Sequence, residues 1–311
     1  MRKKILILGF VLSLILQACG STNIVNDLVD DDSSDTILSI TPNEVIAVDR
    51  LIYSALNDKQ KELYDTLLNC YKNFDTQIEI FATEDDVKIA HKAIIADNPD
   101  LFYVNGYVTD ANMGVLFKTS KSFQLYPNYI CSKEDYENYL ATVDAKCNKI
   151  LAGIDANASD YDKSKFVFEQ IIDMTKYTAD AENAQNMLSV FLAGKAVCNG
   201  YSQSYSYLMH KLNIPCAMIT GQLQGVAHTW NIAVLDNDFY ISDLTSGDSS
   251  YVYNDEKFDY CDYSYLNIDP SFLPEYMMSS MFSNFIMTAT DNNSFLIRCP
   301  ALSWLCQQPH Q

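Results

Sequence analysis

Cys198, His228 and Asp243 stand in that order, about thirty and then about fifteen residues apart. A nucleophilic thiol needs a base to take its proton, and the base needs a carboxylate to hold its ring in one tautomer. These three residue types supply all three roles for attack on a carbonyl: Cys198 as nucleophile, His228 as general base and Asp243 as the group that orients the imidazole. The run Gly194-Lys195-Ala196-Val197-Cys198-Asn199-Gly200-Tyr201 is followed by Tyr205, Leu208 and Leu212 at helical spacing, until Asn213-Ile214-Pro215 ends it. The spacing predicts a helix that begins at Cys198. Unpaired N–H groups and the positive end of the macrodipole favour a thiolate there and can receive a developing oxyanion. Gly200 is expected to let a substrate backbone come close.

The elements that must position the base and the acid are strands. In Ala227–Leu235 the residues His228, Trp230, Ile232 and Val234 share one face, and Asp236-Asn237-Asp238 is a turn signal. Phe239 to Leu244 reads as a second strand, with Phe239, Ile241 and Asp243 on one face. An even-numbered loop puts the two faces on the same side of a hairpin. A two-residue turn at Asn237-Asp238 would set Asp243 opposite Ile232, so the expectation is a longer loop or a bulge that brings it toward His228. Trp230, Asn231, Gly200 and Tyr201 are expected to support the site without reacting.

Three blocks, Val-Cys-Asn-Gly-Tyr-Ser-Gln-Ser-Tyr, Leu-Asn-Ile-Pro-Cys and His-Thr-Trp-Asn-Ile-Ala-Val-Leu-Asp-Asn-Asp-Phe-Tyr-Ile-Ser-Asp-Leu-Thr, occur in this order. Together they resemble the core of the bacterial transglutaminase-like superfamily, clearly over about residues 160 to 250 and more faintly through Tyr263–Ile268. The resemblance implies an α+β, papain-like core in which the nucleophile-bearing helix packs on an antiparallel sheet. It also implies a cysteine enzyme acting on protein or peptide amide bonds through an acyl-thioester. Water as acceptor would make it a peptidase or amidase, and an amine would make it a cross-linking acyltransferase. Hydrolysis is the preferred expectation, because many bacterial relatives are regarded as peptidase-like. One departure stands out: such cores usually carry an aromatic residue after Asp-x-Thr, whereas Asp243-Leu244-Thr245 runs into Ser246-Gly247-Asp248. That motivates the alternative of an inactive surface binding module on the same fold. A zinc site from Cys198, Cys216 and His228 lacks the close-spaced ligand pairs such sites use, so neither metal nor cofactor is expected.

At the amino terminus, Arg2-Lys3-Lys4 precedes an apolar stretch, Ile5 to Ile15, that is short for a membrane span. Leu16-Gln17-Ala18-Cys19 looks like a bacterial lipobox. The expectation is a signal peptide over residues 1–18 and a lipidated Cys19 on an exported protein. Acyl chains would hold it at a cell membrane or cell surface, at about 0.8 kcal/mol per buried CH2. Residues 19–40, with Asp30-Asp31-Asp32-Ser33-Ser34-Asp35 and few large apolar groups, read as a disordered tether behind the lipidated Cys19.

The net charge is −19, and removing the three basic residues of the leader makes it more negative still. Such a surface repels phosphate backbones, which argues against a nucleic-acid partner. Hydrophobic content of 48% is enough for a real core in the about 270 residues after the tether. The nine cysteines have no spacing that reads as a disulfide framework or metal knuckle, although Cys299 and Cys306 could pair.

Residues 41–155 mix helices and strands and read as an accessory α+β region. Helices are expected at Lys59–Tyr71 and Glu84–Ala96, and strands at Gln77–Phe81, Leu101–Val104 and within Gly114–Tyr126. His91 is expected at the surface or at a helix cap. Helices at Asp135–Ile150 and Lys163–Tyr177, and a segment at Met187–Leu192, lead to the nucleophile in a core spanning 156–270. Residues 271–311 form a C-terminal extension, apolar from Met277 and then polar at its end.

Overall fold

Polar residues just ahead of each apolar-periodic run set the helix starts. In the computed structural model, which describes residues 46–110, 122–223, 226–253 and 256–269, Asn57 caps α1 (Asp58–Asn73) in a reciprocal box with Gln60. Thr83 caps α2 (Glu84–Asp97), Ser132 caps α3 (Lys133–Leu151), and Ser159 caps α4 (Asp160–Met174). Each side-chain oxygen takes a first-turn N–H that the helix cannot satisfy itself, worth about 1 kcal/mol. The leader, Cys19, the tether, most of the Gly114–Tyr126 segment, Cys299, Cys306 and the extension from 270 lie outside the described residues. Among the described residues no helix is long and apolar enough to cross a membrane.

The N-terminal region contains β1 (Ile78–Ile80), β2 (Val104–Thr109) and β3 (Phe123–Tyr129), an antiparallel sheet in the order β1-β3-β2. Leu101 to Tyr103, expected as strand, is not one. Asn98-Pro99 instead opens a tight 3-10 turn through Leu101, because proline has no N–H to give a ladder and fits the first position of a helical turn. His91 is neither a cap nor free at the surface. Its Nδ1 lies 2.9 Å from the Tyr71 hydroxyl, and its ring meets Tyr71 and Tyr107 edge-on. Burial lowers its pKa to about 4, so it packs as a neutral ring.

After α4, β4 (Lys176–Tyr177) pairs in parallel with β5 (Lys195–Ala196), with α5 (Met187–Ala193) between them. Gly194, in the left-handed region at φ 64, ends α5 and turns the chain into β5. α6 (Cys198–Lys211) follows, then the antiparallel sheet of β6 (Cys216–Leu223), β7 (Val226–Leu235) and β8 (Asp238–Ser242), in the order β6-β7-β8. α6 packs on β6 and β7, with α4 and α5 against α6. This is the expected α+β arrangement, a cysteine-bearing helix laid on an antiparallel sheet. A one-turn helix, α7 (Leu244–Gly247), leads into an exposed hairpin of β9 (Asp248–Tyr253) and β10 (Glu256–Cys261). One hydrophobic cluster includes buried residues of both regions, from Leu51 and Tyr64 through Phe168 and Tyr205 to Trp230 and Leu266. α2 packs directly on β6.

Candidate active site

Cys198 is the first residue of α6, as the spacing predicts. The preceding residue, Val197, has no polar atom to cap with, so α6 is the one α-helix among the described residues whose start no side chain caps. Its first-turn N–H groups keep their positive ends beside the thiol. The segment before α5 wraps this helix start: Ala184 O accepts from Val197 N at 3.0 Å, and Gln185 O from Asn199 Nδ2 at 2.6 Å.

Gly200 meets its own chain rather than an open cleft. A Cβ there would stand 2.8 Å from Ala196 Cβ and 3.0 Å from the carbonyls of Ala184 and Asn186. The close approach expected of a substrate backbone is thus made by residues 184–186. Tyr201 is also fully buried, and its hydroxyl donates to Asp248 Oδ2 at 2.7 Å and lies 3.1 Å from Thr175 O. It ties the helix to the C-cap of α4 and to β9.

The β7–β8 turn falls one residue earlier than expected. Asp236 and Asn237 adopt φ 51 and 72, the left-handed pair that matches a two-residue hairpin, and Leu235 pairs with Asp238. In this register Asn231 is opposite Ser242, which places Asp243 beside the position opposite Trp230, two residues from His228. No bulge or longer loop is needed. Asp243 leaves the strand as N-cap of α7, and the diagonal gap is one that side chains can span.

His228 Nε2 lies 2.8 Å from Asp243 Oδ2, with the His228 side chain 9% exposed and Asp243 fully buried. With Nε2 engaged by Asp243, the ring nitrogen left to serve a thiol is Nδ1, and Cys198 is among the groups that act on the His228 charge. Burial alone would drive the imidazole toward its neutral form. The charge and hydrogen bond of Asp243, joined by Cys198, outweigh that and raise the His228 pKa from 6.5 to about 10. Burial pushes the Asp243 carboxyl the other way, upward, but His228 and two donors from Ser246 bring it below its ordinary value. The imidazole is therefore a buried cation whose charge the Asp243 carboxylate holds.

Trp230 is 1% exposed, with its ring centroid 5.8 Å from that of His228 and the two rings tilted by 34°. Asn231 Nδ2 donates to Ser202 O at 2.9 Å and Ser206 Oγ at 2.8 Å, fastening β7 to α6. Each such bond contributes about 1 kcal/mol and fixes the spacing of the elements that bear His228 and Cys198. Cys216 is buried under α6, its sulfur 3.4 Å from Ser206 Oγ. Sequence reasoning overlooked Ser246 and Asn199. Ser246 donates through N at 3.1 Å to Asp243 Oδ1 and through Oγ at 2.7 Å to Asp243 Oδ2. The Asp-x-x-Ser spacing at a helix start was the signal that could have found it.

Residues 147–245 match the family model of the transglutaminase-like superfamily. Among solved structures, one described as a TGase is 13% identical with a TM-score of 0.34, over 49% of this chain and 46% of its own. A candidate cysteine protease from Cytophaga hutchinsonii is 15% identical with a TM-score of 0.30, over 45% of this chain and 55% of its own. A candidate protease from Parabacteroides distasonis is 11% identical with a TM-score of 0.25, over 44% and 35%. This chain thus spans about half or less of the length of these structures. No match was found among curated proteins. Over residues 147–245, then, this chain is similar to the transglutaminase-like superfamily.

Proposed function

We propose that this protein is an exported cysteine enzyme, held at a membrane by lipid on Cys19, that hydrolyses peptide or protein amide bonds through an acyl-thioester on Cys198. The observation that carries the reading is the buried His228–Asp243 pair at 2.8 Å, on the strand against which the uncapped, Cys198-bearing helix packs. The Cys198 thiolate attacks the carbonyl carbon, a C–S bond forms, and the oxyanion is received by the uncapped N–H groups of α6. Collapse breaks the C–N bond while the His228 imidazolium gives its proton to the departing amine. Neutral His228 then takes a proton from water as the water attacks the thioester. The acid leaves, and the thiolate–imidazolium pair is restored. An amine in place of water would give a new amide. Cys198 is partly exposed, which supports access of water to the thioester. The leader and the Leu16-Gln17-Ala18-Cys19 run support the tether.

The test is to incubate the mature protein with a peptide library, with and without a primary-amine probe, and to read products and adducts by mass spectrometry. Expected are hydrolysed peptides and an acyl mass on Cys198, both lost in Cys198→Ala, with little amine incorporated. Peptides that bind and are released intact, without any adduct, would overturn the enzymatic reading in favour of a binding module. For the anchor, Cys19→Ala is expected to release the protein from the membrane fraction; retention there would contradict lipid tethering.

A further inference from the structure

Resting on the reading of Cys198, His228 and Asp243 as the reacting set, we propose that Ser246 is a positioning residue that keeps the Asp243 carboxylate ionised and aimed at His228. The carboxylate is fully buried, so water cannot satisfy it. A buried carboxylate keeps its charge only when donors replace the lost hydration. Here Oδ1 takes Ser246 N at 3.1 Å, while Oδ2 takes both His228 Nε2 at 2.8 Å and Ser246 Oγ at 2.7 Å. With both oxygens held, the carboxyl plane cannot rotate away from the imidazole.

Helix capping does not account for the hydroxyl. The Ser246 N–H bond alone completes the cap on α7, and any residue would supply it. The hydroxyl adds a second donor on the same oxygen that serves His228, a bond that only a hydroxyl-bearing side chain can make from this position. Ser246 is itself held in place. Its carbonyl accepts from Ser249 Oγ at 3.1 Å, Asp243 N donates to Tyr265 O at 2.9 Å, and Asp262 N to Gly247 O at 2.8 Å.

The test compares Ser246→Thr with Ser246→Val, which match in shape and differ in the hydroxyl, beside wild type. Two readouts are taken across pH: the rate of Cys198 alkylation by a small reagent, and kcat and KM on a cleaved peptide. Ser246→Thr is expected to stay near wild type. Ser246→Val is expected to lose about tenfold in alkylation rate and kcat with KM unchanged, and its acid limb to move to higher pH, because Asp243 without the hydroxyl is easier to protonate. Equal behaviour of the two variants, impaired or not, would overturn the proposal. Such a result with alkylation still dependent on His228 sinks only the role of Ser246, whereas alkylation indifferent to His228 sinks the reading beneath it.

Discussion

At the scale of residues, the account turns on one imidazole. His228 is charged at neutral pH because Asp243 and Cys198 outweigh its burial, so activity that needs the imidazolium is lost only as pH rises through about 10. Asp243→Asn removes the dominant favourable charge and should move that alkaline limb to lower pH while cutting kcat by about 100-fold or more; a pH profile of kcat/KM checks both. The same groups bear on stability. The contribution of His228, whose pKa is raised above its unfolded 6.5, is complete below that value and is lost as pH rises through about 10. Asp243, lowered from 3.8, contributes above that value and loses its share as pH falls further. Thermal melts across pH should therefore show a wild-type advantage over Asp243→Asn that is greatest between about pH 4 and 6.5 and shrinks toward pH 10. The approach of His228 to Asp243 was legible in sequence, because strand parity puts both on one face. The partners of the acid were not, since α7 is four residues long and too short to show a period.

Among the elements, α6 shows what periodicity can and cannot deliver. Tyr205, Leu208 and Leu212 announce the helix, and a Val before the Cys announces its missing cap. Beside Ala196, the neighbours of Gly200 are the carbonyls of Ala184 and Asn186, held near by the bond from Val197 N to Ala184 O, and no local pattern encodes them. A Cβ at Gly200 meets backbone and a short side chain that cannot swing aside, so Gly200→Ala should cost about 1–3 kcal/mol. That corresponds to a fall in Tm of about 3–10 °C, read by calorimetry. An unchanged Tm would mean that the 184–186 segment yields easily. The hairpin register was ambiguous because Asp236, Asn237 and Asp238 all suit a turn, and two adjacent choices differ by two residues in where Asp243 falls.

For the whole molecule, the family match ends well short of the described chain, yet the N-terminal region is built into the same hydrophobic cluster. Asp97 is a fastening inside that region. It is fully buried and accepts from Ile52 N at 2.7 Å, Tyr53 N at 2.8 Å and Tyr64 OH at 3.3 Å. Asp97→Ala strands donors with nothing to replace the carboxylate and should destabilise by about 2–4 kcal/mol, measured by denaturant unfolding. Because α2 also packs on β6, the loss is expected in the global transition and not as a separate early step. The helices of this region were readable from caps and periodicity. The Tyr71–His91–Tyr107 contact was not, since it joins two helices and a strand far apart in sequence.

The claim on which all three scales depend is that His228 activates Cys198. The most direct measurement is the alkylation rate of Cys198 at neutral pH, by mass spectrometry, in the wild-type protein and in His228→Ala. The account predicts selective modification of Cys198 that slows by at least about tenfold when the imidazole is removed. A slow reaction with the same rate in both proteins would contradict it.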